Sequence, residues 1–374
     1  MRIDQFEMER MQSIHWHQVE FDLSESGVSP LTIGELLEEA VDPHEFLATR
    51  LAYPLSEGSA VTRERIAAWY PGATVDNVTV VNGGSEANHL SLWTLLEPGD
   101  RLAFMVPNYM QGWGLGRHYG EGTDVFNLRL KGDRWSLDLD ELDRAVTEKT
   151  KVVMVCNPNN PTGHVFDEQE MSAVVDAAAR VGAWLVADEV YRGAEVGTDQ
   201  TSPTFWGRYD KTIIISGLSK AFAMPGLRIG WAVAPADVIS AIWQRHDYTT
   251  LTPGKVSDDL AAVAMEPGKR GWILARTRKI LERQLPRLEE WLQTHDDIFH
   301  YVRPRAAAIA FVEYDLEIDS IDLINRIRME QSVLLVPGGM FGVGRGIRFG
   351  YGYDIEHTLA GLARVDEVLA EIER

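Results

Sequence analysis

A chain of 374 residues with 36 Lys and Arg against 56 Asp and Glu has a formal charge of −20, which repels nucleic-acid phosphates and anionic lipid surfaces. Hydrophobic residues make up 45% and charged residues 25%, the balance of a protein that packs a core in water. Cys156 is the one cysteine, which excludes an intrachain disulfide framework and any Cys-x-x-Cys metal or redox site. The opening residues lack the apolar centre of a secretory signal, and the longest apolar run, 306–312, is too short to cross a bilayer. The expectation is a soluble cytoplasmic protein with no nucleic-acid or membrane partner, long enough for two domains.

The first 40 residues read as helical and then irregular, and are expected to pack with the smaller of the two domains. From about 78 to 234, β-branched runs at 78–81, 101–106, 152–156, 184–187, 212–215 and 228–233 alternate with helical patterns such as 86–96 and 167–180. That alternation predicts an α/β fold with a mainly parallel sheet covered on both faces. A long helical pattern over 276–294 leads into a second α/β region. There, strands at 308–314, 333–336 and 347–351 accompany helices at 321–331 and from 355 onward. The expected division is an N-terminal segment 1–40, a large domain 41–275 and a small domain 276–374.

Ligands of an open parallel sheet bind beyond the carboxyl ends of its strands, so the residues after each predicted strand test for a site. Asn82-Gly83-Gly84-Ser85 opens a helix, where free backbone N–H groups and the helix dipole suit a phosphate. Pro107-Asn108-Tyr109 follows the next strand, and NPNNPTG (157–163), whose two prolines fix an unusual loop around Asn160, follows another. Asp188-Glu189-Val190-Tyr191 and Ser216-Gly217-Leu218-Ser219-Lys220 end the series. Taken singly, a Gly-Gly turn, an Asp at a turn or a surface lysine is ordinary. Together they place an anion cradle, an aromatic ring, an amide, a carboxylate with a phenol, and a lysine at one sheet edge.

The series NPNNPTG, DEVY and SGLSKAFAMPGLRIGW resembles the fold-type I pyridoxal-phosphate enzymes, specifically the class I/II aminotransferases, and the separation of Asp188 from Lys220 is typical of them. The resemblance extends from about Phe21 to the C-terminus. It implies a large domain with a mainly parallel sheet, a smaller α/β domain and pyridoxal 5′-phosphate as cofactor. It implies further that Lys220 holds the cofactor as a Schiff base and works as acid and base at the substrate Cα. Asp188 would keep the cofactor's ring nitrogen protonated. Asn160 and Tyr191 would bond the ring oxygen, and Tyr109 would stack on the ring. Gly84, Ser85, Ser219 and Arg228 would hold the phosphate, joined by Tyr53 from the neighbouring subunit of a homodimer. Arg348, in GIRFGYG, would clamp the substrate carboxylate, with Asn160 and Gly27 beside the substrate. The family often has serine three residues before the lysine, where this chain has Gly217, with Ser216 adjacent.

The activity this implies is transfer of an amino group between an L-amino acid and a 2-oxo acid. The segments DLSESGVSPLTIGELL and VPGGMFGVGRGIRFGYG also resemble a subgroup that includes capreomycidine synthase, which cyclises an arginine derivative. A lyase, cyclase or oxidase of the same fold is therefore the alternative, with Asp22 or Glu25 able to face a cationic side chain or to serve as ordinary loop carboxylates. GWGLG (112–116) and GVGRG (342–346) lack the G-x-G-x-x-G spacing of a dinucleotide site, and His15-x-His17 has no partner carboxylates for a metal. A regulator built on this fold would carry a DNA-binding domain ahead of it, for which the sequence leaves no room. Cys156 reads as core filler.

Overall fold

The computed structural model describes residues 3–38 and 42–372. The strands in chain order are β1 (Phe21–Asp22), β2 (Val78–Val81), β3 (Arg101–Val106), β4 (Gly122–Lys131), β5 (Arg134–Leu137), β6 (Thr150–Cys156) and β7 (Trp184–Asp188). They continue with β8 (Thr212–Gly217), β9 (Gly230–Val233), β10 (Phe299–Tyr301), β11 (Ile309–Tyr314), β12 (Val333–Leu334), β13 (Val336–Pro337) and β14 (Gly346–Gly350). Eight of them form one sheet in the order β2-β9-β8-β7-β6-β3-β4-β5. The run from β8 to β4 is parallel, whereas β9 is antiparallel to both its neighbours and β5 to β4.

Alternation explains how the central strands can be apolar throughout. Ala103, Met105, Val153, Val155, Leu185, Ala187 and Ile214 point into one hydrophobic core. Their chain neighbours Leu102, Phe104, Val152, Met154, Val186, Ile213 and Ile215 point into another on the opposite face. Both faces are covered by helices, as a parallel sheet requires. The helix Glu168–Val181 shows how a cover is built. Asp167 accepts from the Glu170 backbone N–H while the Glu170 carboxylate accepts from the Asp167 N–H, a reciprocal cap. Met171, Val174, Ala177 and Ala178 bury the inner stripe, and Gly182 at φ 69° ends the helix.

Several boundaries differ from the sequence reading. The long helix spans Pro267–Gln293 and so runs through the junction expected at 275/276; its Glu266 cap accepts from the Lys269 N–H. The strand expected from 228 begins at Gly230, because Arg228 adopts a left-handed conformation at φ 52°. Strands β4 and β5 were not expected. The junction expected at 40/41 lies outside the described residues. The N-terminal segment divides: β1 pairs in parallel with β12, whereas the helix Glu7–His15 lies against Tyr109, far along the chain. The second sheet has the order β10-β11-β14-β13.

At the junction of β9 with the turn after β2 the two backbones come very close. A Cβ added to Gly230 would lie 2.3 Å from the Gly83 carbonyl carbon and 2.4 Å from the Gly84 nitrogen. Gly230→Ala should therefore cost about 1–3 kcal/mol or more through backbone displacement. The measurement is thermal unfolding, and a melting temperature equal to wild type would refute this reading of the turn.

Candidate active site

The antiparallel strand β9 has a consequence for the site. Val81 pairs with Gly230, and Gly217 also pairs with Gly230. The beginning of β9 therefore lies at the same sheet edge as the ends of β2 and β8, and Arg228 emerges beside residues 83–85 and 219–220. At this edge lies a cavity of 510 Å³ whose lining includes Glu25, Ser85, Asn160, Asp188, Lys220 and Arg348. Gly84, Tyr109, Tyr191, Ser219 and Arg228 also reach it, so that, Glu25 apart, ten of the residues singled out from the sequence as site residues converge.

Each has a definite setting. Asp188 ends β7 and is buried, accepting one bond from the Asn88 amide at 3.1 Å and one from the Val190 N–H at 3.1 Å. Burial pushes its pKa up, since neither partner carries a positive charge. Tyr191 is buried too, and its hydroxyl donates to Ser26 Oγ at 2.9 Å. The fully buried Arg348 guanidinium donates through Nη1 to the Asn160 amide oxygen at 2.9 Å and through Nη2 to the Ser24 carbonyl at 2.5 Å. Its Nε has no partner among the described residues. Burial holds Arg348 below the usual arginine range, with Tyr191 and Glu25 working the other way.

Lys220 Nζ donates to Glu25 Oε1 at 2.8 Å. Burial disfavours the charge on Glu25, but the Lys220 ammonium and the Ser26 N–H outweigh it and hold this carboxyl at about 2. Asp22 plays a different part from Glu25. It is not among the residues lining the cavity, and it accepts from the Ser24 N–H at 2.9 Å and the Ser24 hydroxyl at 2.7 Å.

The anion cradle is formed by close approach. Gly83, at φ 98°, precedes the helix Gly84–Leu95, and a Cβ there would sit 2.4 Å from Arg228 Nη2. Arg228 also donates through Nη1 to the Pro225 carbonyl at 3.0 Å. Gly217 has no room for the serine that the family often carries: an added Cβ would lie 2.8 Å from the Ile229 carbonyl oxygen. Ser216 is buried and donates to the Glu189 carbonyl, away from the cradle.

A family model, aminotransferase class I and II, matches residues 22–364. The chain belongs to this family. Capreomycidine synthase from Streptomyces vinaceus is 30% identical over 368 residues, covering 95% of this chain and 91% of that protein. An aspartate aminotransferase from Streptomyces avermitilis is 28% identical, covering 79% and 74% respectively. A PLP-dependent aminotransferase from Streptococcus suis has a solved structure that superimposes with a TM-score of 0.90 at 30% identity over 100% of both chains. The PLP-dependent cyclase OrfR superimposes with a TM-score of 0.88 at 28% identity, covering 99% and 98%. The protein is a pyridoxal-phosphate enzyme, and its fold is that of the family's large α/β domain with a smaller one.

The cavity fits that cofactor chemically. A buried carboxylate with no cation partner among the described residues, an arginine laid flush on a glycine at a helix N-terminus, and a lysine beside them match a ring nitrogen, a phosphate and an aldehyde. Two expected residues lie outside the lining. Gly27 sits behind Lys220, where an added Cβ would lie 3.9 Å from the lysine Cδ. Tyr53 is 86% exposed and lines a separate surface groove with Leu51, Asn82 and Thr250.

Sequence reasoning missed the roof of the cavity. The helix Glu7–His15 brings Met8, Glu9 and Gln12 to the lining, and Trp16, just after the helix, lines it too. Glu9 Oε1 accepts from the Tyr109 hydroxyl at 2.8 Å, Phe6 packs edge-on to the Tyr109 ring at 5.0 Å, and Gln12 donates to the Ser24 carbonyl at 3.1 Å. Burial, then the Glu9 charge, pushes the Tyr109 phenol well up. No local pattern signals this placement. Asn88 was also missed, although a lone amide between buried Ala87 and Leu90 on the helix after the cradle was a usable signal. Glu9→Ala should cost about 1–3 kcal/mol of local stability by leaving the Tyr109 hydroxyl short of its acceptor. Amide exchange across Glu7–His15 should then accelerate, with the central strands unchanged; equal protection would show that Glu9 does not anchor the helix.

Proposed function

We propose that the protein moves an amino group between an L-amino acid and a 2-oxo acid, with Lys220 as the residue that bonds the cofactor. The observation that carries this reading is the meeting of Lys220, Asp188, Arg228 and Arg348 around one cavity at the sheet edge. Pyridoxal phosphate, when bound, supplies an electron sink for charge developing at the substrate Cα. In this reading Arg228, Ser85, Ser219 and the Gly84 N–H hold the phosphate, and Tyr109 covers the ring. Asp188 holds a proton on the ring nitrogen, which gives its buried charge the partner it lacks. Asn160 and Tyr191 bond the ring oxygen. Arg348, wholly desolvated and with Nε unpartnered among the described residues, binds the substrate carboxylate beside Gly27 and Asn160. Lys220 Nζ would take the proton from Cα and give it back at the cofactor's aldehyde carbon, on the other side of the transferred nitrogen.

One observation favours a second reading, a cyclase or lyase acting on an arginine-like amino acid. The capreomycidine synthase relative covers 95% of this chain against 79% for the aspartate aminotransferase, including the segment that holds Glu25. The two readings separate in a single-turnover experiment. Mixed with an amino acid alone, the enzyme should release one equivalent of 2-oxo acid and no ammonia, then stop until a second 2-oxo acid is supplied. Continuous turnover of a single amino acid with loss of a side-chain substituent would favour the cyclase or lyase, the lyase releasing ammonia together with its 2-oxo acid and the cyclase releasing neither. Oxygen uptake with ammonia release would indicate an oxidase. In either case, borohydride treatment of the resting enzyme followed by peptide mapping should place a pyridoxyl group on Lys220. A label on another lysine refutes the site.

We also propose a homodimer with composite sites. Leu51 and Tyr53 are more than four-fifths exposed in the groove beside the cradle, and Leu251, next to Thr250 of the same groove, is half exposed. Apolar and aromatic side chains set so openly around one groove suit burial against a second copy. Sedimentation should give a dimer, and Tyr53→Ala should weaken cofactor retention without unfolding the chain. A fully active monomer would refute the composite site.

A further inference from the structure

The Lys220–Glu25 pair has no assigned part in the reading above. Glu25 Oε1 accepts three hydrogen bonds, from Lys220 Nζ at 2.8 Å and from the Ser26 and Gly27 N–H groups at 2.9 Å each. The two backbone donors belong to its own loop, so the carboxylate is aimed before the lysine arrives. That loop is itself seated by the β14 segment. Gly350 N–H donates to the Leu23 carbonyl at 2.8 Å and Ser29 N–H to the Gly352 carbonyl at 2.9 Å. Any side chain on Gly350 would collide with the Glu25 carbonyl oxygen, 2.0 Å from an added Cβ. The carboxylate is thus held at a fixed place in a partly desolvated cavity, and a fixed anion is worth most to a cation that appears and disappears during turnover.

We propose that Glu25 is the positioning residue for Lys220, facing its nitrogen in the resting enzyme and receiving its ammonium whenever the lysine is not bonded to the cofactor. This deepens, and rests on, the reading of Lys220 as the cofactor lysine. Proton balance is simple: the Cα proton passes to the Lys220 amine, the resulting ammonium rests on ionised Glu25, and the same proton is then given up from Nζ. Glu25 stays a carboxylate throughout and gains or loses nothing. Its own pKa of about 2 suits that part, because it remains charged across the working pH range. Burial works against charge on Lys220, but Glu25, followed by Tyr191, more than offsets it and keeps the lysine above its ordinary value. The other charged or titratable groups facing the pair are Arg348, which opposes the lysine charge, and Tyr353 and Asp22, which sense Glu25.

The test is the pH midpoint of cofactor absorbance in the resting holoenzyme, which reports protonation of the nitrogen that Lys220 contributes. A carboxylate beside that nitrogen favours its protonated form, so Glu25→Gln should lower the midpoint by about one pH unit or more. Glu25→Asp, which keeps the charge, should restore much of it. Asp22→Asn, which removes a carboxylate bonded only within its own loop, should leave it near wild type. With a Cα-deuterated amino acid, Glu25→Gln should also lower kcat by about tenfold or more and enlarge the isotope effect, with KM little changed. A midpoint unchanged in Glu25→Gln overturns the proposal whatever happens to kcat, since a merely structural role would slow turnover without moving it. If Lys220→Ala retains the pH-dependent absorbance, the cofactor lysine itself is misassigned, and the proposal falls with that reading.

Discussion

The buried guanidinium of Arg348 ties together three stretches far apart in the sequence. It sits on β14, and it donates to the Asn160 amide of the NPNNPTG loop and to the Ser24 carbonyl of the N-terminal segment. A charge removed from water is costly unless most of its donors are met, so each of these acceptors holds the guanidinium where it stands. Ser24 is held in turn by Gln12 from the helix Glu7–His15 and by Asp22 within the loop. The bond from Arg348 therefore fixes the floor of the cavity, and through Ser24 it helps to fix the helix that forms the roof.

Glycine makes this arrangement sterically possible. The second half of GIRFGYG reads as a strand end followed by a turn, but Gly350 and Gly352 are needed because the 23–29 loop runs directly over them. An added Cβ would lie 2.0 Å from the Glu25 carbonyl oxygen at one and 2.2 Å from the Gly27 oxygen at the other. Gly230 does the same work across the sheet, letting β9 meet the turn at Gly83 and Gly84. Backbone thus touches backbone on both sides of the cavity, which leaves the side chains of Lys220, Glu25 and Arg348 little freedom to drift. That rigidity is what a site needs if a proton is to be moved between two fixed atoms.

The chain is strongly acidic overall, yet three cations gather at the site, each answered differently. Lys220 has Glu25, Arg348 has neutral oxygen acceptors, and Arg228 has the Pro225 carbonyl at the rim. Asp188, the buried anion, has only an amide and a backbone N–H. Asp188, Arg228 and Arg348 are thus left without counter-charges among the described residues, which suits a ligand carrying charges of both signs. The burial of Asp188 and Arg348, with pKa values displaced in opposite directions by the same desolvation, is the electrostatic counterpart of that fit.

The sequence by itself determined the alternating α/β order, a mainly parallel sheet covered on both faces, and most of the residues that meet at its edge. It could do so because strand periodicity, proline-fixed turns and a glycine-opened helix are local rules, and because ligands gather beyond strand ends in any such sheet. The lysine and carboxylate motifs each lie within a few residues of a strand terminus, where chain order and space coincide, whereas the two arginines were legible only through the family resemblance. Only the tertiary structure decided the direction of β9, which brings Arg228 to the cradle from the start of a strand instead of its end. It alone separated Glu25 from Asp22, two carboxylates three residues apart that the sequence left equivalent. One meets a lysine 195 residues away and the other turns back on its own loop. It alone placed the helix Glu7–His15 over Tyr109, since a short amphipathic helix carries in its own pattern which face is buried but not what will cover it.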